Sequence, residues 1–138
     1  MSKLISAGAL FKSLKTDRYF FVLRSQKSSY PGRFGLVGGK IHMNEPTLEG
    51  LTREIVEEIG FMPKVENWNS FNKYVSSDGR FTYHSILVTT PYEFIPHLNS
   101  ENDGYAWVKI DNPPKPLHPR LREVLSSEIL IDCIKNFK

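Results

Sequence analysis

Between Gly39 and Phe61 the chain reads GKIHMNEPTLEGLTREIVEEIGF, and no other stretch restricts its fold and chemistry as much. Pro46 suits the first position of a helix, where its missing N–H would have no partner, and Gly60 suits the stop, so a helix over residues 46–59 is expected. At about 100° per residue, Leu48, Leu51, Ile55 and Ile59 fall on one stripe that would face a core. Glu54, Glu57 and Glu58 fall on another face, where three carboxylates can converge and offer hard oxygen donors to a cation. Gly50 lies on that same side, one turn before Glu54. A glycine inside a helix costs about 1 kcal/mol relative to alanine, and room for a ligand beside the carboxylates is one reason to keep it. Gly38 and Gly39 permit a tight turn or a close backbone approach to a ligand. An isolated pair of glutamates is more often a solvated face, since like charges a turn apart cost only roughly a few tenths of a kcal/mol. Composition alone therefore leaves a cation site open.

The order of these residues is more specific than their number. Gly39, five residues, Glu45, seven residues and then Arg53-Glu54-Ile55-Val56-Glu57-Glu58-Ile59-Gly60-Phe61 resembles the signature box of the Nudix hydrolases, with every defining position filled. Upstream, FGLVGG at 34–39 resembles the family's strand and turn into the box, with Val37 where many members carry proline. Downstream, LNSENDGYAWV at 98–108 resembles the segment that often brings a further acidic residue ahead of a tryptophan-bearing strand.

The alternation of strands and helices implies an α+β domain with a mixed sheet. The resemblance sharpens this to the Nudix α/β/α sandwich, with the box helix and a C-terminal helix on the sheet. It also implies hydrolysis of a phosphoanhydride, a reaction that needs neutralised phosphates, an oriented water and a base. Mg²⁺ is the implied cofactor, with Mn²⁺ as a substitute. By the same carry-over, Glu57 and Glu58 are metal ligands, joined by the main-chain carbonyl of Gly38. Glu54 is a ligand or the water-activating base, and Arg53 orients a glutamate through a charge-assisted contact. Glu45 is structural, or a secondary metal or base candidate. Glu101 is the competing base.

Residues 12–33 carry Lys12, Lys15, Arg18, Arg24, Lys27 and Arg33 against Asp17 alone, while 45–66 carry six glutamates against Arg53 and Lys64. A basic segment folded beside an acidic one can hold phosphates on one side and their metal on the other. Arg24, Arg33 and the Gly39 backbone are thus candidate substrate contacts. Phe34, with Tyr30, Tyr74, Phe81 and Tyr83, is a candidate for stacking, and His84 and His118 for lining a pocket. His42, His84, His97 and His118 have no zinc-ligand spacing. The box implies a nucleoside diphosphate linked to a further group. Nucleoside triphosphates, ADP-ribose, dinucleoside polyphosphates and NDP-sugars all remain open.

Two other functions compete. A nucleotide-sensing module without turnover would not need every carboxylate of REIVEEIG. An RNA 5′-end hydrolase wants a broad basic surface, whereas the net charge is only +3 and the acidic residues crowd the site, so a nucleic-acid partner is not expected. The expected partner is a small nucleotide, with a homodimer left open.

At 138 residues the chain suits one domain over residues 1–138. No run approaches the ~18 apolar residues of a membrane span, and the N-terminus is too short and polar for a signal peptide, so no membrane is expected. Cys133 is the one cysteine, in an apolar C-terminal pattern that suggests a buried thiol, compatible with a reducing cytoplasm. Strands are expected over 3–11, 18–24, 80–88 and 104–110, and extended chain over 64–75 with Trp68 and Phe71 as buried anchors. Turns are expected at 15–17 and 76–79, and irregular chain at 26–32, 89–102 and 111–119. Residues 120–137 read as helix with a break near Ser126-Ser127.

Overall fold

The computed structural model describes residues 3–137, so Met1, Ser2 and Lys138 of the expected domain lie outside the described residues. In chain order the strands are β1 (Leu4–Ser13), β2 (Arg18–Arg24), β3 (Phe34–Gly35), β4 (Val37–Ile41), β5 (Asn67–Val75), β6 (Phe81–Thr90) and β7 (Asn102–Val108). The helices are α1 (Thr47–Ile59), α2 (Pro119–Leu125) and α3 (Glu128–Asn136).

β1 organises a mixed seven-stranded sheet. One edge pairs in parallel with β6 over its whole length, from Leu4 opposite Phe81 to Ser13 opposite Thr90. The other edge is shared: Ile5 to Ala9 pair antiparallel with β4, and Phe11 to Ser13 pair antiparallel with β2. β2 pairs with β3 at Val22 and Leu23 and with β7 from Tyr19 to Arg24. The run from 34 to 41 therefore passes from β2 to β1, which opens the sheet between these strands next to Gly38 and Gly39.

Alternation along β1 divides the core. Ala7, Ala9 and Phe11 pack with Leu51, Ile55 and Ile59 of α1, while Leu10 joins Leu121, Val124 and Ile134 of α2 and α3 on the opposite face. Helices thus cover both faces, the three-layer arrangement expected. Leu51, Ile55 and Ile59 are wholly buried, at roughly 1.5–3 kcal/mol for each such side chain.

Several details depart from expectation. Pro46 is the N-cap, in an extended conformation, rather than the first helical residue. Gly60 does close α1 in the left-handed conformation, its N–H donating to the Val56 carbonyl. Leu48 is exposed because the first turn lies beyond the part of the helix that meets the sheet, where Leu51 is the first apolar side chain fully covered. Phe71 is buried and Trp68 half-buried. Gly38 and Gly39 form no turn; they sit inside β4, opposite Gly8 and Ala7. The C-terminal helical stretch does break, with Ser126 closing α2 and Ser127 capping α3. Cys133 is exposed, correcting the expected buried thiol. α3 buries Ile134 on the sheet, and the next residue round the helix turns away. Among the described residues no helix is long and apolar enough to cross a membrane.

Candidate active site

The carboxylates of α1 meet the backbone of β4 where the strand has no side chains. A Cβ added to Gly39 would lie 2.7 Å from Cδ of Glu54 and 2.8 Å from each carboxylate oxygen, so glycine is what lets Glu54 seat against the strand. Gly38 has its own reason: a Cβ there would collide with the β1 backbone, including Gly8 Cα at 2.7 Å. The close approach is to protein at both positions. Gly50 is likewise no space for a ligand, since a Cβ there would meet Glu45 Oε1 at 2.6 Å and Ile41 Cδ1 at 2.8 Å.

Glu58 is the most constrained acid, with 4% of its surface exposed. Its Oε2 accepts from the Gly38 N–H at 2.8 Å and its Oε1 from Asn102 Nδ2 at 2.9 Å. Burial pushes its carboxyl up to about 8 against those two hydrogen bonds, with the charges of Glu101 and Glu54 pushing the same way. Glu54 is also raised, first by burial and then by the charge of Glu57. Glu57 itself is turned outward, 55% exposed, with Arg53 Nη1 3.4 Å from its Oε1.

A cleft of about 280 Å³ opens over these groups. Glu54, Glu58 and Glu101 line it together with Gly38 and Gly39, and Arg24, Lys27 and Lys40 bring positive charge to the same walls. Glu101 is exposed, but its backbone is pinned: its carbonyl accepts from Ser25 N at 2.9 Å and from Ser28 Oγ at 2.8 Å. The loop also joins the end of α1, where Asn99 N donates to the Glu58 carbonyl at 3.2 Å. Glu57 does not line the cleft, so the pair of adjacent glutamates is split between an interior acid and a rim acid. A 100° step between consecutive residues is the cause.

The acidic lining consists of oxygen donors, the chemistry a hard divalent cation takes. Glu58 is buried and Glu54 partly so, and a cation would compensate their charge, so the residues fit such an ion. Among the described residues no three acidic, histidine or cysteine side chains are already gathered at one point of coordination. The carboxylates ring the cleft rather than close on a centre.

Arg53 stands behind them. It grips Glu45 with Nε and Nη2, at 3.0 and 3.1 Å, donates from Nη2 to the Lys40 carbonyl at 3.0 Å, and reaches Glu54 with Nη1 at 3.3 Å. Glu45 faces this arginine and does not line the cleft.

A second cavity, about 260 Å³, adjoins the cleft and shares Arg24, Gly38 and Gly39 with it. It lies on the α2 face of the sheet, walled by Phe81, Tyr83, His118, Arg120, Leu121 and Val124. His118 caps α2 by accepting the Arg120 N–H on Nδ1 at 3.2 Å. Burial, then the charges of Arg24, Arg120 and Arg33, pull its imidazole down to about 4, so it is neutral with its proton on Nε2. Burial pushes the Tyr83 phenol up to about 12.

Of the other substrate candidates, Arg24 and Gly39 face both spaces. Arg33 is turned away to the Leu117 carbonyl, Nη1 donating at 3.1 Å. Phe34 is committed to the core with Leu117 and Leu121, and its backbone bonds the 116–118 segment. His84 alternates with Tyr83 and Ser85 on β6 and so lies on the α1 face, away from the cavity. Sequence reasoning missed Asn102, Lys40 and Arg120. Asn102 and Arg120 carry no local pattern that would mark them; Lys40 follows the glycine pair and was legible as the one positive charge in the five residues between Gly39 and Glu45.

A model of the NUDIX domain matches residues 3–127. No curated protein matches the sequence. Among solved structures, the MutT protein from Methanosarcina mazei Go1 superposes with a TM-score of 0.70 at 23% identity, over 91% of this chain and 91% of that one. A MutT NUDIX hydrolase from Burkholderia pseudomallei gives 0.68 at 20% identity, over 93% and 99%. The dihydroneopterin triphosphate pyrophosphohydrolase of E. coli gives 0.62 at 15% identity, over 99% and 97%. At such identities the likeness concerns the fold.

Proposed function

This chain belongs to the Nudix hydrolase family, and from that premise we propose that it hydrolyses a phosphoanhydride in a nucleoside diphosphate linked to a further group, with Mg²⁺ as cofactor. The observation that supports this reading is the juxtaposition, in one cleft, of Glu54, Glu58 and Glu101 with Arg24, Lys27 and Lys40. Acids alone would repel a polyphosphate, and bases alone would bind it without activating water.

A divalent cation held by Glu58 and Glu54, beside Gly38, would neutralise phosphate charge and lower the pKa of a bound water. The protein's own groups do the rest. Asn102 and the Gly38 N–H fix both oxygens of Glu58, so its direction is set before any ligand arrives. Arg53 Nη1 restrains Glu54 from one side and the bare backbone of Gly39 gives it room on the other. Lys27, Lys40 and Arg24 can pair with phosphate oxygens. Glu54 or Glu101 accepts the proton of the attacking water, and Glu57, at the rim, supplies charge rather than a fixed ligand. We further read residues 1–138 as one cytoplasmic domain acting on a small molecule, alone or as a homodimer.

The experiment is a panel of nucleoside triphosphates, ADP-ribose, dinucleoside polyphosphates and NDP-sugars, each incubated with Mg²⁺ or with EDTA, followed by separation of products. The neighbour named for dihydroneopterin triphosphate adds a pterin triphosphate to that panel. Phosphorus NMR after reaction in ¹⁸O-water identifies the phosphorus attacked. No turnover of any compound with Mg²⁺ or Mn²⁺ would remove the reading, and release of free sugar without phosphate would place the attack at carbon instead.

A further inference from the structure

The cavity on the α2 face is unusual in its charge. Two guanidiniums, Arg24 and Arg120, line it and no carboxylate does. Among the described residues neither has an acidic partner within ion-pair distance. Arg24 uses Nε and Nη2 on the carbonyl and hydroxyl of Ser29, which leaves Nη1. Arg120 is packed among three rings, its Cζ 4.7 Å from the centre of Tyr74, 4.9 Å from Phe81 and 5.6 Å from Tyr83. Contact with aromatic rings supplies no anion and forms no ion pair, so the guanidinium keeps N–H donors for a charged ligand.

The nitrogen donors here face no anionic acceptor: the side-chain oxygens in the same walls are the neutral hydroxyls of Ser6, Ser29, Ser85 and Tyr83. Arginine only donates, and His118, with Nδ1 spent on the Arg120 backbone, also donates from Nε2. A neutral nucleobase presents donors and acceptors together and would leave both cations uncompensated. A phosphate monoester presents acceptors only and carries the opposite charge, and Arg binds it with two parallel N–H bonds. Walls of low polarity, Leu36, Leu121 and Val124, strengthen that attraction.

We propose that this cavity is a subsite for a phosphate monoester that the substrate carries in addition to the diphosphate engaged by the carboxylate cleft. The proposal rests on the hydrolase reading above for what occupies the cleft, and the two spaces share Arg24, Gly38 and Gly39 in their walls. The substrate class is thereby narrowed to nucleoside diphosphate derivatives with a further phosphate on one of their sugars or on the attached group.

The test is made on the whole chain in EDTA, so that neither metal nor turnover enters. Calorimetric titration compares ribose 5-phosphate with ribose, adenosine and guanosine. Ribose 5-phosphate is expected to bind at least about tenfold more tightly than the three neutral compounds. Arg120→Gln should reduce that affinity by at least about tenfold, Arg120→Lys by less, and Lys40→Gln, which changes only the carboxylate cleft, by less than about twofold. If Arg120→Gln does not fold, Ser29→Asp places a carboxylate at the exposed mouth beside Arg24 and should cause the same loss. Equal binding of ribose and its phosphate, tighter binding of a nucleoside, or a larger loss in Lys40→Gln than in Arg120→Gln would each overturn the proposal. A protein that hydrolyses nucleotides yet gives one of those results keeps the function and loses this subsite. One that binds ribose 5-phosphate through Arg120 but turns over nothing keeps the subsite and loses the function.

Discussion

Arg53 holds Glu45 in a two-pronged contact, Nε to Oε2 at 3.0 Å and Nη2 to Oε1 at 3.1 Å, across eight residues of sequence. Glu45 also accepts the His42 N–H at 2.8 Å, so one carboxylate fixes the chain entering α1 to the middle of that helix. The arginine spends its fork here and reaches Glu54 with the remaining nitrogen. The catalytic face is thus braced by an ion pair that lies behind it.

That brace predicts an acid profile. The Arg53 hydrogen bonds, and next the His42 amide, hold the Glu45 carboxyl down at about 2 from its ordinary 4.5. Because the folded value is depressed, the stabilisation is complete above the ordinary value and is lost as pH falls toward 2. Melting temperatures followed from about pH 6 downward should fall more steeply for the wild-type chain than for Glu45→Gln. Parallel curves would remove the role. Arg53→Lys, which keeps the charge but not the fork, should lower kcat by about tenfold or more through a looser Glu54.

Glu58 gives the opposite sign. Its folded carboxyl, raised to about 8, binds a proton more tightly than in the unfolded chain, so stability without metal should decline as pH climbs from the ordinary value of 4.5 through 8. Glu58→Gln should be at least as stable as wild type in EDTA at about pH 8.5, with Asn102 turning its amide to offer oxygen. Mg²⁺ should raise the wild-type melting temperature and leave the variant unmoved, with turnover falling by about 10²-fold or more. A variant that melts far below wild type in EDTA would make Glu58 a structural residue.

The helix, its glutamates and most of the strands along the chain were legible because each depends on local rules: Pro46 and Gly60 bracket α1, and runs of apolar, β-branched and aromatic residues between turn residues mark β1, β2 and β6. What sequence could not yield was which acids face inward. Glu57 and Glu58 are adjacent and chemically identical, and only the position of α1 on the sheet buries one and exposes the other. The same holds for the glycines. Gly39 and Gly50 read as room for a ligand, whereas their missing side chains make room for Glu54 and Glu45. Cys133, beside buried Ile134, failed for the same reason.

The two strand glycines should separate function from stability. Alanine at Gly38 would put its methyl group against the β1 backbone, with Gly8 Cα at 2.7 Å, and nothing there can yield without breaking the pairing. Gly38→Ala should cost roughly 1–3 kcal/mol or more, the range for overpacking. Alanine at Gly39 meets instead the end of the Glu54 side chain, which can rotate away. Gly39→Ala should fold with a smaller loss of melting temperature and lose activity by about tenfold or more as Glu54 is displaced. Equal melting temperatures for the two variants would contradict this.

Glu54 and Glu101 remain the two bases within the cleft, and their surroundings predict different failures. Glu54 is desolvated, tied to Arg53 and close to Glu58, so Glu54→Gln should weaken Mg²⁺ binding and slow turnover together. Glu101 stands on a loop whose backbone, not its carboxylate, is anchored by Ser25 and Ser28. Its removal should leave Mg²⁺ affinity nearly intact. A general base contributes about 10²- to 10⁴-fold. If Glu101 were that base, Glu101→Gln alone would lose this much kcat at saturating Mg²⁺ and erase the acidic limb of the pH–rate profile. The firmer placement of Glu54 favours the other outcome: Glu101→Gln loses less than about tenfold and keeps the acidic limb. A large kcat defect in Glu101→Gln at saturating Mg²⁺ transfers the base to the loop.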